Sequence, residues 1–171
     1  MARQVKVITA AEAAALIKNG DTVTTSGFVA SAIPEALDRA VEERFLATGE
    51  PRDITYVYCG SQGNKDGRGA EHFAHEGLLK RYIAGHWATV PALQKMALEN
   101  KMEAYNVSQG ALCHLFRDIA AHRPGCFTKV GLGTFIDPRN GGGKVNDVTK
   151  EDIIELVNIC LLYTSPSPRD S

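Results

Sequence analysis

The turn Ser26-Gly27-Phe28 is the first place in the sequence where the backbone itself is expected to do chemistry. It follows the β-branched run DTVTTS and precedes Pro34, a residue suited to the first turn of a helix. A glycine turn between a strand and a helix presents backbone N–H groups and one exposed ring at a sheet edge, which raises the question of what binds there. The alternative is a plain loop in which Gly27 only relieves backbone strain.

Three other motifs are weaker. The segment HFAHE places His72 and His75 three residues apart beside Glu76, which satisfies neither HExxH nor HxxEH, so a zinc site is not expected. GLGTFI lacks the third glycine of a dinucleotide fingerprint. RNGGGKV lacks the leading glycine and the Ser/Thr of a phosphate loop.

Composition favours one soluble domain without a nucleic-acid or membrane partner. The chain has 171 residues and a net charge of −1, so no basic field attracts nucleic acid or anionic lipid. No apolar run approaches the roughly 20 residues of a membrane helix, and the N-terminus lacks the pattern of a signal peptide. The four cysteines form no CxxC pair and are expected to be buried free thiols in a cytoplasmic protein, namely Cys59, Cys113, Cys126 and Cys160.

Strand and helix patterns alternate along the chain. The predicted strands are DTVTTS, DITYVYCG, YIAGHWA, MEAYNVS and CFTKVGLG. One helix is expected from the capping box of Thr9 and Glu12 to Gly20, and a second after Pro34. Further helices are predicted for AEHFAHEGLLKR, VPALQKMALENK, GALCHLFRDIAAH and TKEDIIELVNI, of which IIELVNI also fits a strand, and residues 137–147 are expected to form a surface loop.

This alternation predicts an α/β fold with an open, mostly parallel sheet and helices on both faces. Ligands on such sheets lie beyond the carboxyl ends of the strands. Glycines concentrate at these predicted ends, at positions 27, 60, 63, 110, 131 and 133. Residues 160–171, with their Ser-Pro repeats, cannot build a core and resemble a translated adapter, so the domain is expected to cover residues 1–159.

The stretch NGDTVTTSGFVASAIP resembles the first signature of the class I coenzyme A transferases, although Ser26 and Ala32 replace glycines of that pattern. RGAEHFAHEGLLKRYIAGHWATVPALQKMALENKMEAYNVSQGALCHLFRDIAAHRPG and TKVGLGTFIDPRNGGGKVN resemble acetate/propionate and 3-oxoacid CoA-transferases whose two halves are fused in one chain. The resemblance covers about residues 4–157.

The resemblance implies transfer of CoA between acyl-CoA and a short-chain carboxylic acid such as acetate, propionate or a 3-oxoacid. In that family a glutamate attacks the thioester, and a glutamyl-CoA thioester then passes CoA to a second acid in a ping-pong reaction. CoA is a substrate, and no metal or redox cofactor is implied. Short-chain fatty acid and ketone body metabolism are the implied settings.

The resemblance also assigns residues. Gln109, in YNVSQG, matches a turn whose glutamine faces the acyl and carboxylate site, where a neutral amide can donate to an oxyanion; a turn-forming glutamine is the alternative. The residues expected to line or shape the same substrate cleft are Ser26, Gly27, Phe28, Gly110, Gly131, Gly133 and Thr134.

The nucleophilic glutamate of the family lies in its second half, in a Glu-x-Gly signature that is absent from this chain. Glu76-Gly77 is the nearest match, and its predicted helical setting favours a surface residue. The chain is therefore expected to be an amino-terminal part that is inactive alone and needs the missing C-terminal half, with homo-oligomers formed at full length. A sugar-phosphate isomerase or a non-catalytic ligand sensor on the same fold are the alternatives; the near-neutral charge disfavours a DNA-reading sensor.

Overall fold

A computed structural model describes residues 5–158 of the protein. The helices are α1 (Ala10–Ala14), α2 (Glu35–Thr48), α3 (Pro91–Leu98) and α4 (Gln109–Ala120). The strands are β1 (Thr22–Val23), β2 (Ile54–Tyr58), β3 (Leu79–Ala84) and β4 (Glu103–Asn106), and two 3-10 turns span Gly69–Phe73 and Pro138–Asn140. No helix in this part of the chain is long and apolar enough to cross a membrane.

The four strands form one open sheet in the order β1-β2-β3-β4, and every neighbouring pair is parallel. The register pairs Tyr56 with Tyr82, and Ile83 with Tyr105. The predicted α/β fold with a parallel sheet is confirmed. All four strands therefore end at the same sheet edge.

One face of the sheet carries the main core. Alternation along β2 turns Ile54, Tyr56 and Tyr58 to this face, where all three are buried. They pack with side chains of α1, α2, α3 and the Gly69–Phe73 turn in one continuous cluster. Tyr56 lies against Tyr82 with ring centroids 5.7 Å apart, so the aromatic layer ties neighbouring strands together.

The opposite face is covered more thinly. Val57 and Ile83 point there and pack against a small cluster formed by Tyr105 and by Leu112 of α4. Val57 and Ile83 remain half-buried. Helices thus lie on both faces, as predicted, but α4 is the only helix of residues 5–158 that lies on the second one.

The capping box of Thr9 and Glu12 is confirmed, because each residue's side chain accepts a hydrogen bond from the backbone N–H of the other. Gly20 does not end α1, which stops at Ala14; Gly20, with a φ of 79°, forms a later turn. The predicted strand DTVTTS is reduced to Thr22–Val23, and YIAGHWA belongs to a strand that begins earlier, at Leu79.

Three predicted elements are wrong. AEHFAHEGLLKR is not a helix, because its 3-10 turn ends at Phe73, Gly77 adopts a φ of 89°, and the following residues join the sheet as β3. CFTKVGLG is not a strand, since Gly131 and Gly133 take left-handed conformations with φ of 97° and 77°. TKEDIIELVNI forms neither a helix nor a strand up to Asn158, and Ile153 and Ile154 instead pack on the second sheet face.

The cysteine prediction holds only in part. Cys59, Cys113 and Cys126 are free thiols, as expected. Cys59 and Cys126 are half-buried, whereas Cys113 is exposed on α4, so the prediction of a buried thiol is wrong there. Cys160 and the predicted non-native tail, residues 160–171, lie outside the described residues.

Candidate functional site

The candidate cleft lies at the carboxyl edge of the sheet, where four segments converge. The Ser26-Gly27-Phe28 turn follows β1, the segment 59–63 follows β2, Gly85 follows β3, and Gln109 begins α4 after β4. This is the sheet edge at which open parallel folds bind ligands.

The first turn has a conformation that requires glycine at position 27. Gly27 has a φ of 113°, and a methyl group on it would lie 2.8 Å from the Ala32 carbonyl oxygen. Phe28 and Ser31 exchange backbone hydrogen bonds of 2.9 Å, which close a small loop. The Phe28 side chain remains 58% exposed, so its ring borders open space at the cleft.

The segment after β2 holds this loop in place. The Val29 N–H donates to the Ser61 carbonyl at 3.0 Å, and the Gly63 N–H donates to the Val29 carbonyl at 2.9 Å. Gly63 must be small, because a methyl group on it would lie 2.7 Å from the Thr89 carbonyl oxygen. The loop is therefore part of a fixed framework.

Gln62 lies below the turn and was missed by the sequence analysis. Its side chain is fully buried; its Oε1 accepts from the Tyr56 hydroxyl at 2.6 Å and the Thr25 hydroxyl at 2.5 Å, and its Nε2 donates to the Ser26 carbonyl. The available signal was a polar residue between two glycines at a predicted strand end. Its partners, however, are set by tertiary contacts.

Gln109 and Phe28 meet above Gly60. A methyl group on Gly60 would lie 3.4 Å from Phe28 Cε2 and 3.6 Å from Gln109 Nε2. Gln109 is exposed, and its backbone lies against Gly85, on which a methyl group would be 2.7 Å from Gln109 Cα. The structure thus brings the predicted turn and the predicted glutamine to the two sides of one small opening.

The remaining predicted cleft residues are not part of this opening. Gly110 is exposed, and a methyl group on it would meet nothing within 4 Å, so close packing does not require glycine there. Thr134 Oγ1 donates to the Gly131 carbonyl at 2.7 Å, and the Gly133 N–H donates to Asp137 at 2.8 Å. These three residues shape a separate loop, which reaches the end of β4 only indirectly, through residue 143.

A partly buried ionic cluster lies behind the cleft. His72 bridges two α2 carboxylates, with Nε2 2.8 Å from Glu35 and Nδ1 2.5 Å from Glu42. Burial disfavours the imidazolium, but the hydrogen bonds to both carboxylates outweigh it and raise the pKa of His72. Glu35 also accepts from the Gly69 N–H at 2.9 Å, and the next N–H donates to the carbonyl of Gln62 at 3.0 Å. The cluster therefore braces the cleft floor.

This arrangement bears on the weak zinc motif. Both ring nitrogens of His72 lie against carboxylates, and His75 Nε2 is 2.5 Å from Glu42. No group of three or more candidate ligands in residues 5–158 is placed to hold a metal ion. Glu76 is a surface residue, as predicted, with its side chain 73% exposed beside Lys101.

A sequence model of the family described as "Coenzyme A transferase" matches residues 7–159. The chain belongs to the coenzyme A transferase family. The resemblance stated from the sequence is thereby confirmed. This coenzyme A transferase chain is similar to caffeate CoA-transferase of Acetobacterium woodii, with 41% identity over 152 residues, and to acetate CoA-transferase YdiF of Escherichia coli K12, with 40% identity over 156 residues.

The match covers 89% and 90% of this chain but only 29% of each of those relatives, so the chain spans about three tenths of their length. The crystal structure of acyl-CoA transferase YdiF from E. coli O157:H7, in a thioester complex with CoA, superposes with a TM-score of 0.82 at 37% sequence identity. That superposition covers 89% of this chain and 30% of the other.

Proposed function

We propose that the complete protein transfers CoA from a short-chain acyl-CoA to a carboxylic acid, such as acetate, propionate or a 3-oxoacid. The observation that carries the proposal is the juxtaposition of the Gln109 amide and the Gly27-Phe28 turn across Gly60. It is supported by family membership and by relatives named as acetate and caffeate CoA-transferases.

The chemistry of these groups suits acyl transfer between carboxylates. Attack on a thioester places negative charge on the acyl oxygen. Uncharged N–H donors stabilise this oxyanion without adding a charge to the site. Gln109 Nε2 supplies such a donor at the opening, and the Phe28 ring supplies an apolar wall for a short acyl chain. Ser26 and Gly27 form the backbone of the turn from which that ring projects.

The nucleophile in this proposal is a glutamate outside residues 5–158. It attacks the thioester carbonyl to form an acyl-glutamyl anhydride and release CoA thiolate. The thiolate then attacks the glutamyl carbonyl, forms a glutamyl-CoA thioester and frees the acid. A second carboxylate reverses these steps, so no metal or redox cofactor is needed.

In this proposal the chain is the amino-terminal part of a longer cytoplasmic protein and is inactive alone. Two observations support a missing partner segment: the chain spans 29% of its relatives, and the second sheet face is only partly covered. Parallel sheets are normally covered on both faces. The full-length enzyme is proposed to form homo-oligomers.

The test begins by reading the gene beyond residue 158 and expressing both the extended protein and residues 1–171. Transfer of CoA from propionyl-CoA to labelled acetate is expected only for the extended protein. Mass spectrometry after incubation with acyl-CoA alone should find CoA bound to a glutamate. Absence of both acetate-dependent transfer and the adduct from a folded extended protein would contradict the proposal.

Gln109→Ala in the extended protein tests the assigned amide. Loss of one oxyanion donor lowers kcat by about 10²–10³-fold. His114→Ala is the matched control, because His114 is also exposed on α4 but lies more than one helical turn further along. Equal kcat values for the two variants would remove Gln109 from the mechanism.

A further inference from the structure

Gln62 fixes the direction of one peptide group in the cleft. Its side-chain Nε2 donates to the carbonyl oxygen of Ser26, so that oxygen points down into the buried floor. The Ser26–Gly27 peptide is trans, and a trans peptide directs its C=O and N–H groups to opposite sides. The Gly27 N–H therefore points away from Gln62.

That N–H has no acceptor in the part of the chain that the structure describes. The neighbouring Phe28 N–H, by contrast, is bonded to the Ser31 carbonyl at 2.9 Å. Backbone N–H groups in folded proteins are nearly always paired or solvated. The Gly27 N–H is therefore an unpaired donor next to the Phe28 ring, on a turn whose conformation requires glycine at position 27. This donor is available to a ligand oxygen.

The orientation of the Gln62 amide is itself determined. Its Oε1 faces the hydroxyls of Thr25 and Tyr56, which can donate to it, and this leaves Nε2 for Ser26. Burial holds the pKa of Tyr56 well above its ordinary value, so the phenol remains a neutral donor. A flipped amide would place Oε1 against the Ser26 carbonyl oxygen, and neither of these oxygens can donate a hydrogen bond.

We propose that Gln62 is a positioning residue that aims the Gly27 N–H at a carboxylate or acyl oxygen, as a second neutral donor in the same cleft as the Gln109 amide. This inference rests on the proposed function for the identity of the ligand, but the donor can be tested separately.

The first experiment is acetate titration of residues 1–171 labelled with 15N-glycine, followed by NMR. The Gly27 amide is expected to shift in a saturable way, whereas the Gly125 amide, on a distant loop, should not. In Gln62→Met the Gly27 shift should be lost while circular dichroism stays unchanged. A Gly27 shift that persists in folded Gln62→Met, or that is missing from the unaltered protein, overturns the inference.

Gln62→Glu provides a second variant should Gln62→Met not fold. A carboxylate cannot donate to the Ser26 carbonyl, but a protonated carboxyl group can. The acetate-dependent Gly27 shift should therefore be weak at high pH and return as the pH falls, while the unaltered protein shows no such recovery. Identical pH profiles for the two proteins would overturn the inference.

Kinetics of the extended protein separate this inference from the proposed function. Gln62→Met is expected to lower kcat at least about tenfold, with KM for acyl-CoA little changed, because the donor acts on the reacting oxygen. Transfer activity that Gln62→Met leaves intact would overturn the inference alone. A Gln62-dependent Gly27 shift in a protein without transfer activity would support the donor and overturn the proposed function.

Discussion

Replacing Gly85 with alanine would test the closest approach in the cleft. Gly85 lies between the end of β2 and the start of α4, and a methyl group on it would be 2.4 Å from the Cys59 carbonyl oxygen. It would also lie 2.7 Å from Gln109 Cα and 2.8 Å from Gln109 Cβ. Two of these three atoms are backbone, so no flexible side chain can turn away to make room.

The size of the effect follows from the overlap. Ordinary contacts begin at 3.4 Å, so the Cys59 oxygen or Gly85 must move by roughly 1 Å. Overpacking of this kind destabilises a protein by about 1–3 kcal/mol, and the backbone location places Gly85→Ala near the upper end. A loss of about 3 kcal/mol lowers Tm by roughly 6–12 °C for a domain of this size.

Gly110→Ala is the matched control, because it adds the same methyl group one residue beyond Gln109. Nothing lies within 4 Å of that methyl group, and Gly110 is the second residue of α4. Alanine is favoured over glycine in a helix by about 0.5–1 kcal/mol, so this variant should be neutral or slightly more stable.

Urea unfolding followed by far-ultraviolet circular dichroism would measure both variants. The expected difference in free energy of unfolding is about 3 kcal/mol or more in favour of Gly110→Ala. A Gly85→Ala protein within about 0.5 kcal/mol of the unaltered chain would refute the reasoning. It would mean that α4 does not approach the end of β2 as closely as described, and the contact of Gln109 with the opening above Gly60 would fall with it.

Three further outcomes are expected. Burial raises the pKa of Asp38 to about 7, so the stability that the protonated Asp38 contributes is full at acid pH and is lost as the pH rises through 7. Between pH 5.5 and 8.5, urea unfolding should show the unaltered chain losing about 2 kcal/mol more than Asp38→Asn. Parallel pH curves for the two proteins would contradict this. N-ethylmaleimide at neutral pH should label exposed Cys113 before Cys59, because burial and the Cys113 thiol raise the pKa of Cys59. Peptide mass mapping measures the order of labelling, and labelling of Cys59 first would contradict the prediction. Phe127 lines a groove on the second sheet face together with Leu112 and Ile153. If this thinly covered face makes the chain self-associate, Phe127→Ser should reduce light scattering more than Leu98→Ser on α3, and equal effects would locate the contact elsewhere.

Sequence patterns predicted the elements whose local and tertiary preferences agree. β2 is dense in β-branched and aromatic residues, and α3 begins at Pro91, so both were predicted close to their observed bounds. AEHFAHEGLLKR failed because helix-forming residues there are overruled by Gly77 and by pairing of β3 with β2. Local propensity is a weak guide where a sheet competes for the same residues.

The candidate cleft was predicted in part for a similar reason. Phe28 and Gln109 could be assigned because each lies in a motif that resembles a known family. Gln62 could not, since its meaning depends on Thr25, 37 residues earlier, and on the side chain of Tyr56 in β2. A buried glutamine becomes interpretable only when the atoms that satisfy its amide are known.

The contacts also show which glycines at the sheet edge matter, a distinction that composition alone does not make. Gly27 and Gly85 are close-packed against backbone, so each is needed for the approach of two segments. Ala32 stands where the family signature has glycine, yet it keeps a left-handed φ of 55°, so the fold tolerates a modest strain there. Gly60 is different again: a methyl group on it would touch Phe28 and Gln109 at ordinary contact distances. Its bare Cα therefore relieves no clash, and what it preserves is a space between the Phe28 ring and the Gln109 amide.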